Sequence, residues 1–102
     1  MRTAAKVDSN QPEIVQALRD IGATVQILSA VGKGCPDILV GFRRNNFLFE
    51  IKDGNKPPSK RKLTDDERQW HDDWRGQVTT ISNVRQAIAL ITYDSPADIP
   101  PF

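Results

Sequence analysis

Residues 47–52 read Phe-Leu-Phe-Glu-Ile-Lys, and this run constrains the fold more tightly than any other part of the chain. Strand side chains alternate between two faces, so Glu50 and Lys52 share one side while Phe47, Phe49 and Ile51 share the other and supply core. The preceding run, Asp37 to Phe42, sets Asp37 with Leu39 and Gly41, opposite Ile38, Val40 and Phe42. Arg43-Arg44-Asn45-Asn46 between the two runs reads as a hairpin turn. A two-residue hairpin loop pairs residues whose numbers sum to an odd value. Any such register puts Asp37 on the face that carries Glu50 and Lys52.

Glu50 and Lys52 stand where an amphipathic strand carries neutral or apolar side chains. Burying charge there is costly unless it is paired or binds a metal. Two close carboxylates repel, and a hard cation such as Mg²⁺ relieves the repulsion through oxygen ligands. Such a cation can polarise a phosphodiester and activate a bound water. Lys52 can orient that water or neutralise charge developing on the phosphate. The plain alternative is an outward strand face near a sheet edge, with Asp37 as a turn residue after Pro36.

The rest of the chain supplies helices on both sides of this hairpin. Asn10 is a helix cap, with Pro12 in the first turn and Glu13 at the reach-back position. Ile14, Leu18 and Ile21 repeat at helical spacing until Gly22. Thr24 to Ser29 alternates as a strand, followed by a small-residue loop to Gly34. Residues 53–62 form a polar loop in which Gly54, Pro57 and Pro58 prevent regular structure. Thr64 and Glu67 form a capping box for a helix that carries Trp70 and Trp74 on one face, as core or dimer interface, and stops at Gly76. Val78 to Ile81 is a short strand, and Ser82 or Asn83 caps a last helix with Val84, Ala87, Ile88 and Ile91. The expected fold is α/β: an antiparallel meander of three strands, joined by a fourth after a helical crossover, with helices packed on the mixed sheet.

At 102 residues the chain is expected to be one domain, 1–102, with a core from about 10 to 92, a loose arm over residues 1–9 and a proline-rich tail from Ser95. It has no apolar run long enough for a membrane span and no signal-peptide pattern, so an intracellular location is expected. The single Cys35 excludes an internal disulfide and a multi-thiolate zinc site, and it reads as a small buried residue rather than a nucleophile. Net charge is only +1, but Lys56, Lys60, Arg61 and Lys62 crowd one stretch. A basic patch beside an acidic centre suits a phosphate-bearing partner, and such contacts position nucleic acid without reading its sequence. A solvated loop is the alternative for that cluster, and also for Lys33 in Gly32-Lys33-Gly34, which lacks the spacing of a phosphate-binding P-loop.

The Pro36-Asp37…Glu50-Ile51-Lys52 pattern resembles the PD-(D/E)XK nuclease superfamily, whose core is a helix, three strands, a helix and a strand. Gly34-Cys35-Pro36-Asp37, Phe49-Glu50-Ile51-Lys52, Leu63-Thr64 followed by Gln69-Trp70, Gly76 and Val84-Arg85 resemble its VRR-NUC domain over roughly residues 10–92. One arginine, Arg85, stands after Val84 where the family name suggests two. The resemblance implies a restriction-endonuclease-like αβββαβ core in a stand-alone phage or bacterial protein. It implies Mg²⁺-dependent hydrolysis of branched DNA, Holliday junctions or flaps, with Mn²⁺ as substitute and often by a homodimer. Asp37, Glu50 and Lys52 are then catalytic, and Asp37, Glu50 and the Ile51 carbonyl hold the metal. Glu13 is either a further metal carboxylate from the first helix or simply the capping partner of Asn10. Lys33, Lys56, Lys60, Arg61, Lys62 and Gln69 are the expected DNA contacts. The competing readings are a non-catalytic DNA-binding module that keeps the fold, and a restriction-type nuclease of the same chemistry. The second has little room in 102 residues for a sequence-reading domain.

Overall fold

The computed structural model describes residues 7–93. The chain runs α1 (Gln11–Asp20), β1 (Thr24–Ile27), β2 (Ile38–Phe42), β3 (Asn45–Ile51), α2 (Asp65–Asp73), β4 (Thr79–Ile81) and α3 (Val84–Thr92). The sheet order is β1-β2-β3-β4, antiparallel through β3 and parallel between β3 and β4. This is the expected meander with a crossover strand. Within the polar loop the structure adds one 3₁₀ turn, Pro58–Lys60, where the sequence predicts no regular structure. Pro58 sits at its first position, where the missing N–H and fixed φ cost nothing.

The hairpin between β2 and β3 is tighter than a four-residue turn. Arg43 and Arg44 alone form it, with φ of 49° and 66°, while Asn45 and Asn46 already belong to β3. Two consecutive left-handed residues make the turn whose twist matches the flanking strands, although Asn-Gly is the usual choice. Arg43 offsets part of the strain by donating to the Thr92 carbonyl at 3.0 Å and lying 5.0 Å over the Phe42 ring. The resulting register pairs Ile38 with Phe49 and Phe42 with Asn45, each pair summing to an odd number as required.

Alternation then divides the sheet. Ile38, Val40, Phe49, Ile51 and Ile81 face α1 and α3, where they pack with Ile14, Val15, Leu18, Ala87 and Ile91 as the core. Each large side chain of that set contributes roughly 1.5–3 kcal/mol by leaving water. The opposite face near the end of β3 carries Glu50 and Lys52 and is met by α2, whose capping box between Thr64 and Glu67 is formed as expected. Trp70 on α2 stacks at 4.6 Å on Trp74, which follows the end of the helix in extended backbone; Trp74 is exposed and Trp70 only half-buried, so neither joins the core. In front of β4, the Gln77 side-chain amide takes the place of a strand residue. It accepts from Leu48 N–H at 2.7 Å and donates to its carbonyl at 2.8 Å, so the strand begins at Thr79 rather than Val78.

Asn10 begins α1 without capping it. Its side chain makes no cap bond, and Glu13 completes no capping box there. The Asn10 amide instead donates to the carbonyls of Lys52 and Ser82, at 3.2 and 3.0 Å, tying the start of α1 to the ends of β3 and β4. Asp8 and Ser9, expected within a loose arm, are also engaged: Asp8 pairs with Lys56 at 3.5 Å and Ser9 donates to Asp53 at 3.0 Å. The remainder of that arm, residues 1–6, and the proline-rich tail lie outside the described residues.

Candidate active site

Asp37 is set by backbone bonds on both sides. Its N–H donates to the Phe49 carbonyl at 3.0 Å and its carbonyl accepts from Leu28 N–H at 2.8 Å. One step beyond the Ile38–Phe49 pair, it therefore stands opposite Glu50. Its carboxylate accepts the Ile51 N–H at 2.6 Å, which fixes the side chain against the edge of β3. Buried Pro36 immediately ahead restricts the backbone entering the site.

Glu50 is only 1% exposed, on a strand flanked by β2 and β4, so the outward-face alternative does not hold. One carboxylate oxygen, Oε1, is buried without a hydrogen-bond partner among the described residues. Burial pushes the Glu50 carboxyl up to about 10, reinforced by its hydrogen bond to Asp37 and the charges of Asp37 and Glu67. Asp37 is also raised, again first by burial; its bonds to Glu50 and Ile51 pull the other way. Both shifts thus favour a proton held by the pair.

Lys52 Nζ lies 2.7 Å from Glu67 Oε1 and 3.8 Å from Glu50 Oε2. Burial alone would lower the Lys52 ammonium, but the bond to Glu67 and the charges of Glu67 and Glu50 outweigh it and leave the pKa raised. Glu67 is lowered in turn: burial opposes this, but the bonds from Lys52 and Thr64 prevail. From the sequence, Glu67 is only half of a helix cap. The signal for more is its position at the third residue of a helix whose first turn follows the lysine strand, but the loop of residues 53–62 hides their proximity.

Asp37, Lys52 and Glu67 open onto a cleft of about 430 Å³, with Glu50 behind them. Lys33, Lys56, Lys60 and Lys62 also line it, together with Cys35 and Asp8. Burial and the charges of Glu50 and Asp37 push the Cys35 thiol up, so it stays protonated. Gly34, at φ 80°, seats the β1–β2 loop on α2, where a Cβ would run into the backbone of Asp66. Three expected residues do not reach the cleft. Glu13 is exposed on α1, whose inward face carries Gln11, Ile14, Val15 and Leu18. Gln69 is exposed and donates to Asp73 at 3.0 Å, because its position on α2 turns it away from Lys52. Arg61 is half-buried and does not line the cleft. Among the described residues no three His, Cys, Asp or Glu side chains form a metal cluster, so the acidic centre is the Asp37–Glu50 pair.

No protein-family model and no curated protein matches the sequence. The fold does find a solved counterpart, described as a VRR_NUC domain. It superposes with a TM-score of 0.59 at 25% identity, over 83% of this chain and 92% of the other. The chain has the fold of a VRR-NUC domain. The mixed four-stranded sheet with its helices is the restriction-endonuclease-like α/β core, and the site just described belongs to a nuclease-type domain. Among the described residues, no helix is long and apolar enough to cross a membrane.

Proposed function

We propose that this domain is a divalent-metal-dependent endonuclease that hydrolyses phosphodiesters in branched DNA, of the Holliday-junction or flap type. The observation that carries the reading is the convergence of Asp37, Glu50 and Lys52 at one cleft, where Asp37 and Lys52 line the wall together with four further lysines and Glu50 is buried behind them. The donor set fits a hard cation: two adjacent carboxylates, one with a buried oxygen lacking a partner among the described residues and a pKa raised first by burial and then by its neighbour. Asp37, Glu50 and the Ile51 carbonyl would hold Mg²⁺, with Mn²⁺ as substitute. When bound, the ion supplies charge for the scissile phosphate and acidifies a water.

The protein's own groups do the rest. The Ile51 amide keeps Asp37 in place, so the carboxylate is oriented before any ligand arrives. Lys52 presents a full positive charge beside the acid pair, where it can meet the phosphate or orient the attacking water. Lys33, Lys56, Lys60 and Lys62 hold the phosphates on either side and set the strand in the cleft. A homodimer fits this activity, because two active sites related by a two-fold axis cut both strands of a junction symmetrically.

The test is incubation with labelled duplex, flap, splayed-arm and four-way DNA, with and without Mg²⁺. Cutting of the branched substrates only with metal supports the proposal. Binding without cleavage in either Mg²⁺ or Mn²⁺ refutes it and favours the non-catalytic module.

A further inference from the structure

Lys52 has two acidic neighbours at unequal distances. Glu67 Oε1 is at 2.7 Å and Glu50 Oε2 at 3.8 Å. Lys52 is 8% exposed, so its ammonium has little water to turn to and must choose between them. Glu67 is well prepared for the role. The same oxygen accepts Thr64 N–H at 2.8 Å, and the Glu67 amide donates to Thr64 Oγ1 at 3.2 Å. The helix cap therefore fixes the carboxylate independently of the lysine, and the cap itself needs no third partner. The first turn of α2 is held from the other side by Gly34, whose packing against the Asp66 backbone leaves no room for a side chain.

A carboxylate that carries its own counter-charge has less to offer a metal. If the Lys52 ammonium moved onto Glu50, it would compete with a cation for that carboxylate and its positive charge would oppose the cation at the pair. Attraction over a few ångströms in a partly desolvated site is strong enough for that competition to matter. We propose that Glu67 is a positioning residue that holds the Lys52 ammonium away from the Asp37–Glu50 pair, leaving the pair open to a divalent cation. It also keeps Lys52 pointed at the cleft, where a phosphate would lie. This rests on the metal-nuclease reading above.

The experiment is a double-mutant cycle on Mn²⁺ affinity, read by electron paramagnetic resonance of free Mn²⁺ without DNA. Glu67→Gln is the informative change, because glutamine keeps an oxygen for the Thr64 N–H and so preserves the cap while discarding the charge that retains Lys52. With Lys52 present, Glu67→Gln should raise the Mn²⁺ dissociation constant about fivefold or more; in a Lys52→Ala background the change should be below about twofold. Equal losses in both backgrounds would make Glu67 a mere distant charge and overturn the proposal, as would no loss in either. If the unsubstituted protein binds no Mn²⁺, the metal-nuclease reading itself falls and takes the positioning role with it. A protein that binds Mn²⁺ with no dependence on Glu67 removes only the positioning role.

Discussion

Replacing Glu50 with glutamine should stabilise the metal-free protein, and the gain should grow with pH. Glu50 is 1% exposed, and its carboxyl is pushed from 4.5 up to about 10. In the unfolded chain it loses its proton near 4.5. Between those values the folded chain binds one more proton than the unfolded chain, so stability falls as pH rises, by about 1.4 kcal/mol per unit. The contribution is whole below about 4.5 and lost towards about 10. At about pH 7.5, three units above the ordinary value, holding that proton costs roughly 4 kcal/mol at most. That is a large part of the ~5–15 kcal/mol available to a small domain. Glutamine has the same shape, needs no proton and keeps an N–H to donate to Asp37. Glu67 and Asp53, whose values are lowered, act only below the ordinary carboxylate range, and Lys52, whose value is raised, acts only above 10.5. Asp37, also raised, adds to the same downward slope in both proteins. The assay is urea unfolding in EDTA at several pH values between about 5.5 and 8.5, with m held as a check on the two states. The advantage of Glu50→Gln should increase from about 1 kcal/mol at the acid end to several at the alkaline end. A wild-type curve that is flat over this range, or two parallel curves, would refute the electrostatic account of the pair.

Mg²⁺ should offset the same penalty: at about a hundred times its Kd it should add about 2.7 kcal/mol to the wild type, measured by thermal unfolding, and much less to Asp37→Asn. Alanine at Lys33, Lys56, Lys60 or Lys62 should weaken DNA binding on all sequences alike. Each such substitution should reduce the log–log salt slope by about 0.7–0.9 in a titration of affinity against salt, since one lysine no longer neutralises its phosphate. Gly34→Ala should cost about 1–3 kcal/mol in denaturant unfolding, since it combines a positive φ with a clash against Asp66.

The centre of the site is legible in the sequence because it depends on local rules. Alternation along β3 and a two-residue turn place Asp37 opposite Glu50 whatever the rest of the chain does. The core residues follow from the same alternation and from the spacing of Ile14 and Leu18. What sequence does not supply are contacts made across long separations. Asn10 has the chemistry of an ordinary cap, yet its amide is spent on Lys52 and Ser82, which only the closure of the sheet brings near. Glu67 reads as the other half of a capping box, and its bond to Lys52 depends on how residues 53–62 return α2 to the sheet. Gln69 and Glu13 err in the opposite direction. Each has suitable chemistry on a suitable helix, but the rotation of that helix, set by what its apolar positions bury, turns it to solvent. The two tryptophans, expected on one helix face, stack on each other, but α2 ends at Asp73 and Trp74 lies just past it in extended backbone, so the pair stays outside the core.

The most direct test of the central claim is single-turnover cleavage of a labelled branched DNA by the wild type, Asp37→Ala and Lys52→Ala, with binding to the same DNA measured in Ca²⁺. The account predicts Mg²⁺-dependent cutting by the wild type. It predicts a loss of about a hundredfold or more in each variant, with DNA affinity little changed. Full cleavage by both variants would contradict it, because these groups at the cleft would then play no part in breaking the phosphodiester.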